Sequence, residues 1–332
     1  MATLADVARH AGVSTATASR IINGSSKPVA EALRQRVLAA VAELKYVPNA
    51  HAQMLARSHR SAVGVIVHDV SDPYFAEITR GLQRVAEADG RLAIICNSYR
   101  QPDREMEYID LLHAHQVAAI VIAGSGYADE ATAARLDDRL RAFESSGGRI
   151  AVIGRHEHTG DAVLPDNEGG AFLAASHLFD LGHTEIAVIA GPPALTTTID
   201  RLDGIGRAIR KYRAKVPKSR IMHSDFTRDG GAAATTQLFT DFPEVTAIAA
   251  LNDSMAVGAL AALRNAGRRL NVIGFDDMPI ARDVTPSLTS VRLPLTELGE
   301  RAMRLALDTS SEGPRTERVS AELVPRESTW AI

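Results

Sequence analysis

Two sets of residues in this chain have types and spacings that suggest chemistry. The first lies near the start. Thr15 and Ala16 open a short helical segment, and Arg20 follows one turn later. At the leading end of a helix laid in a DNA major groove, such residues meet base edges. Thr15 offers a hydroxyl and a methyl, Ala16 a small contact for a thymine methyl, and Arg20 a planar fork that matches guanine. Ser14, Thr17, Ser19 and Asn23 are short polar groups suited to phosphate contacts that set register, and Thr3 belongs to the same DNA-facing set. Singly, each serine or threonine reads as an exposed helix residue. Together, behind an apolar first helix, they read as a DNA surface.

The second set is scattered, each member lying just after an apolar, strand-like run: Asp72, Tyr74 and Phe75; Arg155; Thr197 and Arg201; Phe226; Asn252; and Asp276. Neutral sugars are held by planar polar side chains that bond vicinal hydroxyls in pairs, with an aromatic face against the C–H surface. Arg201, Asn252 and Asp276 supply the paired groups, and Phe226 or Tyr74 the face. Arg155 would instead favour a phosphate or carboxylate on the ligand. The plainer reading makes Asp276 and Asn252 helix caps and pairs Arg201 with a helix acid.

The elements that must carry the first set are compact. Thr3 is a good N-cap with Asp6 three residues on, and Leu4, Val7, Ala8 and Ala11 form one apolar stripe. Gly12 suits a left-handed helix end, and Ser14 caps a second helix whose inner face is Thr17, Ala18, Ile21 and Ile22. Two helices joined by such a turn are a helix-turn-helix. A third helix is expected from about Ala30 to Leu44, with Leu33, Val37, Ala40, Val41 and Leu44 inward and no side-chain cap at Ala30. After Pro48, Asn49 can cap a segment from Ala50 to Ala56, too short to be a stable helix alone. On DNA, with a symmetry mate, Ala52 and Leu55 would face the minor groove, Leu55 as a wedge. The alternative is a plain linker with one buried leucine.

From Ala62 the pattern alternates strand and helix. Val63–Val67, Leu92–Cys96, Ala118–Ile122 and Ile150–Ile153 form one series, with a helix from Phe75 to Ala88; Ile186–Ala190, Val245–Ala250 and Asn271–Phe275 form another. Such alternation predicts parallel sheets covered by helices, in two lobes with a cleft at the carboxyl ends of the strands.

Charge divides the chain. Residues 1–60 carry eight Lys and Arg against three acids, a net of +5, while the whole of the 332 residues carries −3. A basic head on an acidic body fits a phosphate-binding module. One cysteine, Cys96, excludes a disulfide framework and fits a reducing cytosol. No leader-like segment opens the chain, and no apolar run reaches the roughly 18 residues of a membrane span. A cytoplasmic protein without membrane partners is expected. Catalysis is not. Asp276 and Asp277 are neighbours at a strand end and point apart, and no Gly-x-Ser-x-Gly, P-loop or dinucleotide fingerprint is present. His113, His115, His156 and His158 have no further convergent ligand, so neither metal nor cofactor is expected.

The segments TLADVARHAGVSTATASRIINGSSKPV (3–29) and YVPNAHAQMLA (46–56) resemble the lactose-repressor/galactose-repressor family of bacterial transcription regulators. So do DVSDPYFAEITRGLQ (69–83), DNEGG (166–170), DRLDGIGRAI (200–209), LNDSMAVGALAALRNAG (251–267) and NVIGFDDMP (271–279). The resemblance implies that Thr15, Ala16 and Arg20 read an operator and that Leu55 is the minor-groove lever. It also implies a periplasmic-binding-protein-like core whose chain crosses between lobes near 160–165 and 285–295. Arg201, Asn252, Asp276 and Phe226 or Tyr74 match positions that grip the effector in sugar-responsive members. Purine-responsive members place an arginine near position 195, where this chain has Leu195. Gln53 and Met54 stand where many members have Arg-Ser, which implies weaker minor-groove phosphate contacts.

The fold expected is therefore α/β: an all-α helix-turn-helix head over 1–47, a hinge segment over 48–60, and a two-lobed core of parallel sheets over 61–332. The N-lobe is expected at about 61–162 with the 290–294 region, and the C-lobe at about 163–288 and 295–332. The function expected is a homodimeric regulator, a repressor of a carbohydrate-utilisation operon, binding double-stranded, pseudo-palindromic operator DNA under control of a sugar or sugar derivative. Alternatives are a regulator answering a nucleoside or phosphorylated metabolite, and a stand-alone sugar-binding protein. With no heptad tail after Trp330, a zipper-driven tetramer is not expected.

Overall fold

The computed structural model describes residues 2–22, 29–46, 62–158, 160–311 and 313–332. The chain forms two compact units, Met1–Ser61 and Ala62–Ile332.

In the first unit, α1 (Leu4–Ala11), α2 (Thr15–Ile22) and α3 (Glu31–Glu43) close a small core. Thr3 and Asp6 make the reciprocal capping box that their spacing predicts, and Gly12 ends α1 at φ 61. Val7, Ala8, Ala11, Ala18, Val37 and Ala40 are buried, with Ile21, Ile22, Val41 and Leu44 packed around them. Leu33, expected inward, is half-buried and lies outside that cluster. Ala30 gives α3 no side-chain cap. Arg36 on α3 instead donates to the Ala11 carbonyl at 2.5 Å, tying α3 to the end of α1.

The second unit holds two six-stranded sheets. In chain order its elements are β1 (Ala62–Val67), α4 (Pro73–Ala88), β2 (Leu92–Asn97), α5 (Pro102–Ala114), β3 (Ala119–Ala123), α6 (Glu130–Ser145), β4 (Arg149–Ile153), β5 (Asp161–Pro165) and α7 (Asn167–Asp180). There follow β6 (Ile186–Ala190), α8 (Thr196–Tyr212), β7 (Ile221–His223), α9 (Arg228–Asp241), β8 (Ala247–Ala250), α10 (Asp253–Asn265) and β9 (Asn271–Asp276). The last are α11 (Ile280–Asp283), β10 (Thr289–Arg292), α12 (Leu295–Leu307), β11 (Thr316–Val319) and β12 (Glu322–Val324). The N-lobe sheet runs β11-β5-β4-β3-β1-β2, all parallel. The C-lobe sheet runs β12-β10-β9-β8-β6-β7, parallel except for β12 on β10. Central strands such as β1 and β3 are buried along their whole length, as helices on both faces require.

The division of the lobes corrects the expectation. The 290–294 region does not belong to the N-lobe: β10 hydrogen-bonds to β9 in the C-lobe sheet. Nor is 295–332 all C-lobe, since α12 packs on α4, β3, β4 and β5, and β11 pairs with β5. The chain thus crosses three times, near 166, near 293 and again between β11 and β12. The third crossing uses two strands of three or four residues with charged sides, too short to show a period in sequence. Crossings one and two fall close to the expected positions. Helix α4 starts at Pro73 rather than Phe75, because Asp72 caps it by accepting from the Tyr74 amide at 3.0 Å.

Candidate DNA surface and ligand cleft

On the head, the DNA-facing set is partitioned by the two amphipathic helices. Thr3, Ser14, Thr15, Ala16 and Arg20 are exposed, while Thr17 and Ser19 are half-buried. Ser14 Oγ accepts from the Thr17 amide at 3.1 Å and lies 2.9 Å from its hydroxyl, so its first task is to cap α2. Arg20 lies along the exposed face of α2, its Nε donating to the Ala16 carbonyl at 3.2 Å. Thr15, Ala16 and Arg20 thus share one exposed stretch of helix, with buried Ala18 turned to the core. Asn23, Asn49, Ala52 and Leu55 lie outside the described residues.

In the core, a cleft forms where the carboxyl ends of β1, β3, β4, β6, β8 and β9 converge. It measures about 480 Å³ including its open mouth. Asp72, Tyr74, Phe75, Thr197, Arg201, Phe226, Asn252 and Asp276 all line it. Arg201 and Asp276 are its fixed centre: both are buried, and Arg201 Nη2 donates to Asp276 Oδ1 at 2.9 Å. The guanidinium also donates to Asn167 Oδ1 at 2.9 Å and to the Leu251 carbonyl, and it stacks 3.8 Å above the Phe275 ring. A planar fork held on three sides keeps one orientation. Asp276 sits at φ 108 and Phe226 at φ 67, backbone conformations that non-glycine residues adopt at a cost and that cluster where geometry matters.

The cleft is lined by two arginines, Arg100 and Arg201, and two acids, Asp72 and Asp276. Burial pushes the Asp276 carboxyl up to about 7, against the pull of Arg201 and with the help of Asp72. Burial also raises the Tyr74 hydroxyl and the Asp72 carboxyl. Asn252 does cap α10, its Oδ1 accepting from Met255 N at 2.9 Å, while its amide nitrogen donates to the Phe226 carbonyl at 3.0 Å. The capping reading and the cleft-lining reading of Asn252 therefore both hold. Asp276 caps no helix.

Arg155 departs from the expectation. It does not line the cleft; its side chain is half-exposed and grips Asp200 through Nε at 3.0 Å and Nη2 at 2.7 Å. Its i to i+45 partner has no sequence signature. Conversely, His68, Arg100, Gly124, Ser125, Ile153, Gly154 and Pro165 line the cleft without having been singled out. Each lies at or near a strand end, which was the one available signal. Ser125 and Arg100 also join the lobes, together with two backbone bonds. Ser125 Oγ donates to Thr197 Oγ1 at 2.7 Å, Ala128 N to the Ala194 carbonyl at 2.8 Å, Thr196 N to the Gly126 carbonyl at 3.0 Å, and Arg100 Nη1 to the Asp225 carbonyl at 3.2 Å.

Among the described residues no cluster of three or more metal-ligating side chains occurs, and no helix is long and apolar enough to cross a membrane.

A helix-turn-helix head on a chain whose two-lobed core has a ligand cleft defines a class: DNA-binding regulators with a periplasmic-binding-protein-like core. The family model described as bacterial regulatory proteins, lacI family, matches residues 3–49, and that of the periplasmic binding protein-like domain matches residues 175–329. The HTH-type transcriptional regulator GalR of Salmonella typhimurium is 35% identical over 321 residues, covering 96% of this chain and 92% of that one. Among solved structures, the transcriptional regulator CelR in complex with cellobiose superposes with a TM-score of 0.73 at 30% identity, covering 99% of this chain and 100% of that one. The lac repressor dimer bound to operator and the anti-inducer ONPF gives 0.85 at 26% identity, covering 99% of each. The chain belongs to the lacI family of bacterial regulatory proteins. It is a DNA-binding transcriptional regulator.

Proposed function

We propose that this regulator is a homodimeric repressor of a carbohydrate-utilisation operon whose effector is a neutral sugar held in the cleft between the lobes. The observation that carries the reading is that each arginine of the cleft has an acid beside it. Arg201 is matched by Asp276, Arg100 has Asp72 among its nearby acids, and Arg155, the cation that would favour an anionic effector, is committed to Asp200 outside. A buried, oriented Arg–Asp pair beside Asn252, with the Phe226 and Tyr74 rings, presents paired donors and acceptors for vicinal hydroxyls and a face for the C–H side. The relatives point the same way: one is held with cellobiose, another with an operator and an anti-inducer.

In this reading Thr15, Ala16 and Arg20 read each half of a two-fold operator, Thr3, Ser14, Thr17, Ser19 and Asn23 position the head on phosphates, and Asn49, Ala52 and Leu55 belong to the hinge contact. The effector acts by preferring one arrangement of the two lobes. A hundredfold loss of operator affinity requires a preference of about 2.7 kcal/mol. The bonds that join Ser125 to Thr197 and Arg100 to Asp225 are the contacts such a choice would make or break. Fluorescence anisotropy of the full-length protein on two-fold duplexes selected from random sequence tests it. Neutral mono- or disaccharides should shift the affinity, whereas phosphorylated sugars and nucleosides should not. A shift confined to phosphates or nucleosides overturns the neutral-sugar reading.

A further inference from the structure

The N-lobe side of the cleft holds two buried polar atoms, His68 Nε2 and Arg100 Nε, with no hydrogen-bond partner among the described residues. Neither is incidental. His68 is only 4% exposed, its ring edge packs on Phe75 at 5.3 Å between centroids, and Gly124 leaves the space that the ring fills. Arg100 is held at φ 57, stacks over the Phe226 ring at 5.6 Å and bonds the Asp225 carbonyl through Nη1. A buried nitrogen left without a partner is costly, so two of them lining one binding cleft point to a ligand that satisfies both.

The protonation pattern says what kind of group that is. Burial, aided by the Arg100 charge and His156, holds the His68 imidazole down to about 3, so the ring is neutral. A neutral imidazole has one donor and one acceptor nitrogen. Nδ1 faces Ser98 Oγ at 3.5 Å, and that hydroxyl donates its own proton to the Val67 carbonyl. In the tautomer with the ring proton on Nδ1, Nε2 is the acceptor. Arg100 Nε–H is a donor only. A hydroxyl answers both: it gives its proton to His68 and takes one from Arg100. A carboxylate or fully ionised phosphate has no proton for His68.

We propose that His68 and Arg100 form a hydroxyl-reading subsite that selects a neutral polyhydroxyl effector and discriminates against its anionic derivatives. This rests on the reading of the cleft as a sugar site and adds to it the group read from the N-lobe side.

Calorimetry on the full-length protein tests it, with glucose, cellobiose, their phosphates and the corresponding aldonic acids as probes. The sugar that binds best is then supplied as its set of single-deoxy analogues. In the wild-type protein one analogue should bind roughly tenfold more weakly than the parent sugar. In His68→Phe, which keeps a ring against Phe75 but has no acceptor, the same analogue and the parent should bind equally. Arg100→Lys provides a second cycle should His68→Phe fold poorly, as circular dichroism would reveal. In the wild type, ¹⁵N shifts should mark His68 Nε2 as the unprotonated nitrogen. Tighter binding of the anionic derivatives, equal losses for every deoxy analogue in wild type and variants, or a proton on Nε2 overturns the subsite while leaving sugar binding intact. Absence of binding by every sugar overturns the sugar reading and the subsite with it.

Discussion

Arg20 and Asp276 show how differently two charged side chains earn their places. Arg20 is exposed on α2 and takes no part in the core of the head. Its Arg20→Ala variant should fold normally, lose specific operator binding by about tenfold or more, and titrate with the effector as the wild type does; footprinting and calorimetry check the two halves. Asp276 is the opposite case, buried against Arg201. Its carboxyl is raised from 3.8 to about 7, so the folded state holds this proton more tightly than the unfolded chain. Its contribution to stability is therefore present at low pH and lost as pH rises through about 7. Effector binding should run the other way, because the ionised carboxylate is the better acceptor for sugar hydroxyls. Effector affinity should rise between about pH 6 and 8, and Asp276→Asn should flatten that rise. Removing the charge also strands Arg201 in the interior, so the variant should melt at a lower temperature than the wild type.

At the scale of elements, the turn between α1 and α2 decides how the reading residues are presented. Gly12 adopts φ 61, and a Cβ there would come within 2.6 Å of Arg36 Nη2, the group that ties α3 to α1. Gly12→Ala therefore strains the backbone and displaces a tertiary bond at once. It should destabilise the head by about 1–2 kcal/mol, read as weaker operator binding with unchanged effector titration. The first two helices were legible because their signals are local: a cap, an apolar stripe and a glycine within ten residues. The start of α4 was less so. Asp72 spends one oxygen on capping that helix and still lines the cleft, a double duty that no spacing rule announces.

For the whole molecule, the proposed homodimer needs a self-complementary surface, and the edge of the N-lobe sheet is the candidate for it. β2 lies at that edge; Leu92 is 68% exposed, and Ile94, Ile95 and Cys96 are only half-buried. An apolar edge strand of this kind is ordinarily covered, and a two-fold partner would cover it with its own equivalent. Leu92→Asp should shift sedimentation toward the monomer and weaken operator binding, since two linked heads bind a two-fold site far better than one. Retention of the dimer by this variant would place the interface elsewhere.

Local periodicity and the residues after each strand were enough to read the helix-turn-helix, the alternating strands and eight of the fifteen residues that line the cleft. Each depends on contacts close in sequence or on a rule that ties chemistry to strand ends. The pairing of Arg155 with Asp200, the convergence of His68 and Arg100 on the cleft, and the third crossing through β11 and β12 were settled by folding. They join residues far apart in the chain, where partner choice depends on which strand ends and lobes meet in space, and one-dimensional spacing contains no record of that.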